Sequence, residues 1–127
     1  MVVFDASALL ALVLGEPGSE EASRYLGEGI ISTVNLAEVM STLAQRGATE
    51  ARLDALLAKL PLKIVDFTTA DARQAALLRP ATRSLGLSLG DRACLAVSIL
   101  RGATALTADR AWGQLPEKLG TDVIVIR

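Results

Sequence analysis

Four acidic residues are the side chains of this sequence best placed to do chemistry. They are Asp5, Glu38, Asp91 and Asp109. Asp5 directly follows the apolar run 2–4, and Asp109 lies two residues beyond a predicted strand at 104–107. Ligands of open α/β sheets bind beyond the carboxyl ends of the strands, so three or four of these carboxylates meet at one edge if the strands are parallel and Asp5 and Asp109 end adjacent ones. Their mutual repulsion would be relieved by a divalent cation, and donors that are all oxygen suit Mg²⁺ or Mn²⁺ better than zinc.

Three of these acids also have a structural interpretation. The pairs Ser88 and Asp91, and Asn35 and Glu38, have the spacing of a capping box, in which the acid accepts a hydrogen bond from the N-cap residue. Asp109 could simply begin a turn, as aspartate often does. Taken singly, Asp91 and Glu38 are explained better by capping than by catalysis.

Asp5 is the acid least easily explained as structural. It stands between a buried strand and a strongly apolar helix, and no Lys or Arg occurs in the first 23 residues. A carboxylate in such surroundings costs desolvation free energy unless a partner compensates its charge. Acidic sites that share a divalent cation usually do phosphate chemistry, in which the cation holds a phosphoryl oxygen and supplies hydroxide.

The predicted elements that must position these acids alternate between short strands and helices. Strands are predicted at 2–4, 29–32, 62–67, 104–107 and 123–126, and helices at 8–14, 17–26, 34–45, 49–60, 69–78 and 88–100. Pro80 is expected to end the fifth helix. This alternation predicts an α/β fold, a single domain over residues 1–127 with a central parallel sheet of about four to five strands and helices on both faces.

The composition excludes several classes of function. The absence of His removes every mechanism that needs a His base, nucleophile or metal ligand, and it weighs against RNA cleavage through the 2′-hydroxyl. The single cysteine, Cys94, allows neither an internal disulfide nor a thiolate zinc site, which favours a reducing, cytoplasmic compartment. With 13 Lys and Arg against 14 Asp and Glu, a nonspecific DNA-coating protein is not expected. The apolar run 8–14 is too short to span a membrane, so no membrane association is expected.

Five blocks of the sequence resemble one known family in their order and spacing. They are VVFDASAL at 2–9, EPGS at 16–19, NLAEV at 35–39, LSLGDRA at 87–93 and LTADRAW at 106–112. Together these blocks resemble the PIN-domain ribonucleases, and most closely the VapC toxins of toxin–antitoxin pairs. The resemblance extends over the whole chain, and no acidic position departs from it.

The resemblance implies a parallel sheet with the first strand at its centre and a catalytic quartet of the four acids. Asp5 and Asp91 are the predicted direct ligands of Mg²⁺ or Mn²⁺, and Asp109 is a direct or water-mediated third. Glu38 would bind a second metal or orient the attacking water. The residues expected to support the site are Ser7, Asn35 and Thr107.

The resemblance also implies partners. These are a structured RNA of the tRNA or rRNA class, a second copy of the chain in a homodimer, and a small antitoxin. The antitoxin is expected to insert a basic residue into the acidic site and to lie against helices 8–14 and 34–43. The candidate RNA contacts are Arg79, Arg83, Arg92 and Arg110, for which a solvated helix face or pairing with neighbouring acids is the alternative. Only four aromatic residues occur in the chain, so a base-stacking platform is not expected.

The sequence thus predicts a Mg²⁺- or Mn²⁺-dependent endoribonuclease, the toxin of a VapBC-type pair, that leaves a 5′-phosphate and a 3′-hydroxyl. One alternative is a PIN-like RNA-processing nuclease outside a toxin pair. Another is a phosphotransferase with Asp5 as nucleophile, although the second acid expected two positions later is Ser7. A phospho-receiver domain is disfavoured because Asp66 lies within the predicted third strand.

Overall fold

Five parallel strands form one sheet in the computed structural model, which describes every residue from Met1 to Arg127. The strands are β1 (Val2–Phe4), β2 (Gly29–Ser32), β3 (Lys63–Val65), β4 (Thr104–Thr107) and β5 (Val123–Val125). Their order across the sheet is β3-β2-β1-β4-β5, and each neighbouring pair is parallel. The predicted parallel sheet with the first strand at its centre is therefore confirmed.

Six α-helices connect the strands. They are α1 (Ala6–Leu14), α2 (Ser19–Ser23), α3 (Thr33–Gln45), α4 (Glu50–Lys59), α5 (Thr69–Thr82) and α6 (Leu89–Arg101). Short 3₁₀ helices lie at Leu26–Glu28, Arg83–Leu85, Arg110–Gln114 and Glu117–Leu119. None of the six α-helices combines the length and the apolar character that crossing a membrane requires.

The core consists of two apolar layers, one on each face of the sheet. Because successive strand side chains point to opposite faces, Phe4 of β1 belongs to one layer and its neighbour Val3 to the other. The first layer packs against α1, α2, α3 and α4, and the second against α5 and α6. The expectation of helices on both faces is confirmed.

Three predicted elements end two or more residues away from their predicted ends. The second helix is shorter than predicted, because it ends at Ser23 and a 3₁₀ turn follows. The third strand is limited to Lys63–Val65, which pairs only with β2. Pro80 does not end α5, which continues to Thr82. The carbonyl that loses its N–H donor to this proline belongs to Ala76, which is exposed, so water can replace the missing hydrogen bond.

The strand order creates a switch point between β1 and β4. From β1 the chain passes to β2 on one side, whereas β4 pairs with the other side of β1. Such switch points leave a crevice at the carboxyl ends of the two strands, where ligands of open α/β sheets bind. Asp5 directly follows β1 and donates its N–H to the carbonyl of Leu106, 3.0 Å away in β4. Asp109 follows β4, so the fold places two acids beside the crevice.

Candidate active site

A cavity of about 250 Å³ at this crevice brings all four predicted acids together. We call it the acidic cavity. Its walls are formed by Asp5, Ala6, Ser7, Leu10, Asn35, Glu38, Thr42, Asp91 and Asp109. Four carboxylates from separate parts of the chain therefore share one small space with two of the predicted supporting residues. The third, Thr107, lies behind the wall and contacts Asp5.

Asp5 is buried, with 4% of its surface exposed, and both of its carboxylate oxygens are held. Oδ1 accepts hydrogen bonds from the backbone N–H of Ala8 at 2.8 Å and from the hydroxyl of Ser7 at 2.7 Å. Oδ2 accepts from the hydroxyl of Thr107 at 2.6 Å. The pKa of Asp5 is raised from 3.8 to about 6, because the effects of burial and, to a lesser extent, of the charge of Asp91 outweigh the lowering by the three hydrogen bonds. The position of the carboxylate is fixed, while its charge is poorly compensated by the protein.

Glu38 is held in place by the buried amide of Asn35. The Nδ2 group of Asn35 donates to Glu38 Oε1 at 2.8 Å and to the carbonyl of Gly90 at 3.0 Å. Its Oδ1 accepts from the hydroxyl of Ser32 at 3.0 Å. Burial raises the pKa of Glu38, the hydrogen bond from Asn35 lowers it, and the charge of Asp91 raises it. Asn35 is thus a positioning residue that joins α3 to α6.

The predicted capping box of Asn35 and Glu38 is wrong. Helix α3 begins at Thr33, so Ser32 is its N-cap and accepts a hydrogen bond from the N–H of Asn35 at 3.2 Å. Asn35 already lies within the first turn, and the acid three residues later receives the side-chain amide of Asn35 instead of an N-cap N–H. The carboxylate of Glu38 therefore faces the acidic cavity rather than the helix end.

The other predicted capping box, Ser88 with Asp91, is present. Asp91 Oδ2 accepts from the N–H of Ser88 at 2.9 Å, and Ser88 Oγ accepts from the N–H of Asp91 at 3.1 Å. Asp109 caps the following 3₁₀ helix, where its Oδ1 accepts from the N–H of Ala111 at 2.9 Å. Each of these two acids keeps its second oxygen without a protein donor, so capping and a role in the cavity are compatible.

Gly90 is a site residue that the sequence interpretation missed. It is buried in the first turn of α6, and a Cβ atom at this position would overlap the carboxylate of Glu38. Glycine inside a helix costs about 0.5–1 kcal/mol relative to alanine. A glycine at this helical position, directly before Asp91, therefore indicated that the backbone approaches another group closely here.

The donors of the acidic cavity fit a hydrated magnesium or manganese ion. All of its polar side chains present oxygen or amide groups, and no histidine or thiolate is among them. No three acidic side chains converge as a ready-made metal cage requires. Mg²⁺ seldom uses such a cage, because it retains several waters and is bound through one or two carboxylates together with substrate phosphates. The negative charge of Asp5 is poorly compensated by the protein, so a bound cation would stabilise it.

The four candidate RNA-binding arginines occupy different surroundings. Arg79 and Arg83 are exposed at the end of α5, and neither contributes to the acidic cavity. Arg92 lies between α5 and α6, where its Nη1 donates to the carbonyl of Ala75 at 3.0 Å. Arg110 is exposed beside Asp109 and forms no ion pair with an acid, and neither does Arg92. The structure thus brings only Arg110 close to the predicted site.

Three solved structures are similar to this one over nearly their whole length. A toxin–antitoxin complex from Klebsiella pneumoniae has 20% identity and a TM-score of 0.75, covering 100% of this chain and 98% of that chain. DNA-bound VapBC from Salmonella typhimurium has 17% identity and a TM-score of 0.78, covering 99% and 98%. VapC20 from Mycobacterium tuberculosis, a sarcin–ricin loop cleaving toxin, has 20% identity and a TM-score of 0.72, covering 92% and 98%. At these identities, the likeness shows the fold.

The sequence itself carries the family assignment. No curated protein sequence matches the chain at a significant level. The sequence model of the PIN domain, however, matches residues 2–118, which include all four acids of the cavity and every strand of the sheet except β5. The chain belongs to the PIN domain family.

Proposed function

We propose that the chain is a Mg²⁺- or Mn²⁺-dependent endoribonuclease. The observation that carries this proposal is the acidic cavity, in which four carboxylates from separate parts of the fold meet at the switch point of the sheet. Oxygen-only sites of this kind serve phosphoryl chemistry, because the cation polarises a phosphoryl oxygen and makes hydroxide available at neutral pH. The absence of histidine removes the usual acid and base for cleavage through the 2′-hydroxyl.

In this proposal, Asp5 and Asp91 bind the cation directly. Asp5 is fixed by Ser7, Ala8 and Thr107, so it presents a preorganised carboxylate. Asp91 is fixed through its capping oxygen Oδ2 and offers Oδ1. Asp109 lies on the other wall of the cavity, and its free oxygen would bind the cation directly or through a water molecule. Preorganisation matters because a ligand that is already held loses little conformational entropy on binding.

Glu38 is proposed to orient and deprotonate the attacking water. Its raised pKa brings it closer to neutral pH, where a carboxylate is a more effective general base. The water oxygen forms the new bond to phosphorus, and the bond from phosphorus to the 3′ oxygen breaks in line with it. The leaving 3′ oxygen takes up a proton from solvent. The products are a 5′-phosphate and a 3′-hydroxyl.

The test is cleavage of tRNA and ribosomal RNA by the purified protein with Mg²⁺, with Mn²⁺ and with EDTA. We expect cleavage only with a divalent cation, and 5′ ends that become ligatable without prior phosphorylation. Asp5→Asn should lower the rate by orders of magnitude. Asp122→Asn is the matched control, because Asp122 is exposed just before β5 and outside the acidic cavity. Full activity in EDTA, or in Asp5→Asn, would refute the proposal.

We further propose that the chain is the toxin of a toxin–antitoxin pair, with a cytoplasmic tRNA or rRNA as its substrate. Solved structures of the same fold include toxin–antitoxin complexes, and VapC20 of that group is a sarcin–ricin loop cleaving toxin. A homodimer is expected, and light scattering of the purified protein measures it. The proposed antitoxin is a small protein that inserts an Arg or Lys among the carboxylates, where the inserted charge competes with the cation.

An apolar groove of about 570 Å³ is the proposed seat of the antitoxin's helix. Eleven of its 14 lining residues are hydrophobic, and they come mainly from α1 and α4. The sequence interpretation named α1 and α3 as walls, but α3 contributes only Leu43, so α4 is the second wall. Neighbouring residues of α1, Leu9 and Leu10, line the groove and the acidic cavity respectively. The groove and the acidic cavity therefore adjoin the same helix, α1.

Co-expression with the product of a neighbouring small reading frame tests the toxin role. We expect the two proteins to co-purify and growth to recover. Replacing the inserted arginine of the partner by alanine should reduce inhibition more than binding. Val13→Asp in the groove should weaken the complex, whereas Leu77→Asp on α5 should not, since both side chains are exposed on opposite faces of the sheet. Failure to co-purify and to rescue growth would contradict the toxin role while leaving the nuclease proposal intact.

A further inference from the structure

A second cavity adjoins the acidic one, and two of its five lining residues are arginines. Its volume is about 490 Å³, and its walls are formed by Ser7, Ala108, Asp109, Arg110 and Arg127. We call it the basic cavity. Ser7 and Asp109 also line the acidic cavity, so the two spaces share a wall. Arg127 was not among the residues singled out in the sequence.

Backbone carbonyls hold the two guanidinium groups of the basic cavity. Arg127 donates from Nε to the carbonyl of Ala108 and from Nη1 to the carbonyl of Pro17, each at 3.3 Å. Arg110 donates from Nε to the carbonyl of Arg127, also at 3.3 Å. These contacts limit where the guanidinium groups can lie and leave several of their N–H donors free.

Neither arginine forms an ion pair with an acidic side chain, although Asp109 lines the same cavity. The only two ion pairs of the structure join the N-terminal amine to Glu28 and Arg24 to Glu21. The two carbonyl partners of Arg127, on Ala108 and Pro17, are neutral, so they orient its guanidinium without cancelling its charge. Two arginines held in this way around a concave surface suit a phosphate group, which the planar fork of arginine binds through paired hydrogen bonds.

The peptide group of Ala108 connects the basic cavity to the acidic one. Its carbonyl accepts from Arg127, and its N–H donates to Ser7 Oγ at 2.9 Å. Ser7 in turn donates to Asp5 Oδ1 at 2.7 Å. The arginines therefore have a defined position relative to the carboxylate proposed to bind the cation.

We propose that the basic cavity binds a phosphate of the RNA backbone that flanks the phosphate being cleaved, with Arg110 and Arg127 as its ligands. This inference rests on the proposed endoribonuclease function and adds to it a substrate-positioning site. The chain is close to neutral overall and its proposed catalytic cavity is lined by acids, so the RNA backbone needs a local positive region to be held there. The basic cavity supplies that region next to the carboxylates, and binding of the neighbouring phosphate would fix the register of the strand.

Binding of a short fluorescent single-stranded RNA of mixed sequence tests this inference. Anisotropy is measured in EDTA, where no cleavage is expected, over a series of salt concentrations. Arg127→Gln and Arg110→Gln should each raise the Kd about tenfold, as expected for the loss of a charged hydrogen bond. Each should also make the slope of log K against log salt shallower by about 0.7, the value for one phosphate contact to a single strand. Arg127→Lys should keep the slope while weakening binding, because lysine retains the charge but not the fork.

Arg101→Gln is the matched control, because Arg101 is also exposed and lies at the end of α6 that leads into β4, at the opposite edge of the sheet. It should bind RNA as the unaltered protein does. Thermal melting of each variant verifies that it is folded. If Arg127→Gln and Arg110→Gln bind RNA with unchanged affinity and slope, the basic cavity is not a phosphate site, although the nuclease proposal stands. If the unaltered protein neither binds nor cleaves RNA with Mg²⁺, the proposed function fails and this inference fails with it.

Discussion

Replacing Asp5 by Asn should stabilise the metal-free protein at neutral pH while abolishing its proposed activity. Burial raises the pKa of Asp5 from 3.8 to about 6, so the folded state disfavours the charged carboxylate. Above pH 6 this rise corresponds to about 3 kcal/mol of lost stability, because each pKa unit is worth about 1.4 kcal/mol. Asn has nearly the same shape and carries no charge, so it removes this loss.

The substitution also has a cost. Asn can accept the hydrogen bonds of Ala8 and Ser7, but its Nδ2 would face the hydroxyl of Thr107, which now donates at 2.6 Å. The hydroxyl must turn to accept instead, at a cost of about 1 kcal/mol. The net gain at pH 7.5 is therefore about 2 kcal/mol, or a Tm higher by roughly 5–10 °C for a domain of this size.

The pH dependence gives the sharper measurement. An acid whose pKa is raised in the folded state contributes stability below its unfolded pKa and loses that contribution as the pH rises through its folded pKa. The stability difference between Asp5→Asn and the unaltered protein should therefore grow from about pH 4 to about pH 6 and then level off. Urea unfolding in EDTA at several pH values measures this difference, and addition of Mg²⁺ should stabilise only the unaltered protein.

One result would refute the reasoning. If Asp5→Asn is less stable in EDTA by the same amount at pH 4 and at pH 7.5, the Asp5 carboxylate is not under electrostatic strain. The inference that the charge of Asp5 favours cation binding at this site would then be refuted.

Three further predictions concern Asp91 and Glu38, which line the acidic cavity, and Gly90, which packs against Glu38. Asp91→Asn keeps an acceptor for the N–H of Ser88 and removes the charge that raises the pKa of Asp5, so we expect a lower Asp5 pKa by NMR and a small rise in Tm without metal. Asp91→Ala, in contrast, should lose about 1 kcal/mol of stability because it also loses the capping hydrogen bond. A clear drop in the Tm of Asp91→Asn would mean that capping dominates. Gly90→Ala should displace the carboxylate of Glu38 and lower kcat at least tenfold. The control is Gly113→Ala, whose added methyl group meets no atom within 4 Å. Equal rates for the two variants would contradict the role of Gly90. Glu38→Gln should remove the rise of kcat with pH that a base of raised pKa produces, and an unchanged pH profile would show that Glu38 is not the base.

The sequence predicts the sheet and the location of the acids well, because both depend on local patterns. A strand buried on both faces is continuously apolar, and the polar residue that follows it, Asp5, must stand at the sheet edge. The strand order was not set by the local pattern. The central position of β1 came from the family resemblance, and the structure agrees with it.

Other features of the site depend on contacts that no local pattern reports. The pairing of Asn35 with Glu38 was misinterpreted because a capping box there requires Asn35 as the N-cap, whereas the N-cap of α3 is Ser32, three residues earlier. The role of Gly90 follows from the approach of α6 to α3, and the basic cavity from the return of the C-terminal residues to the loop after β4. These approaches are set by packing of the whole domain.

The capping hydrogen bonds of the acidic cavity have a consequence for how the protein loses function by mutation. Asp5, Asp91 and Asp109 each begin or stabilise a helix through one carboxylate oxygen, a task that asparagine can take over. Single-base changes from aspartate to asparagine should therefore yield inactive proteins that fold and persist in the cell. For a toxin acting as proposed, such copies would still occupy the antitoxin, and a cell that also carries an active copy would have less antitoxin to restrain it. Selection against toxicity should then favour substitutions that unfold the apolar core, rather than substitutions that neutralise the carboxylates.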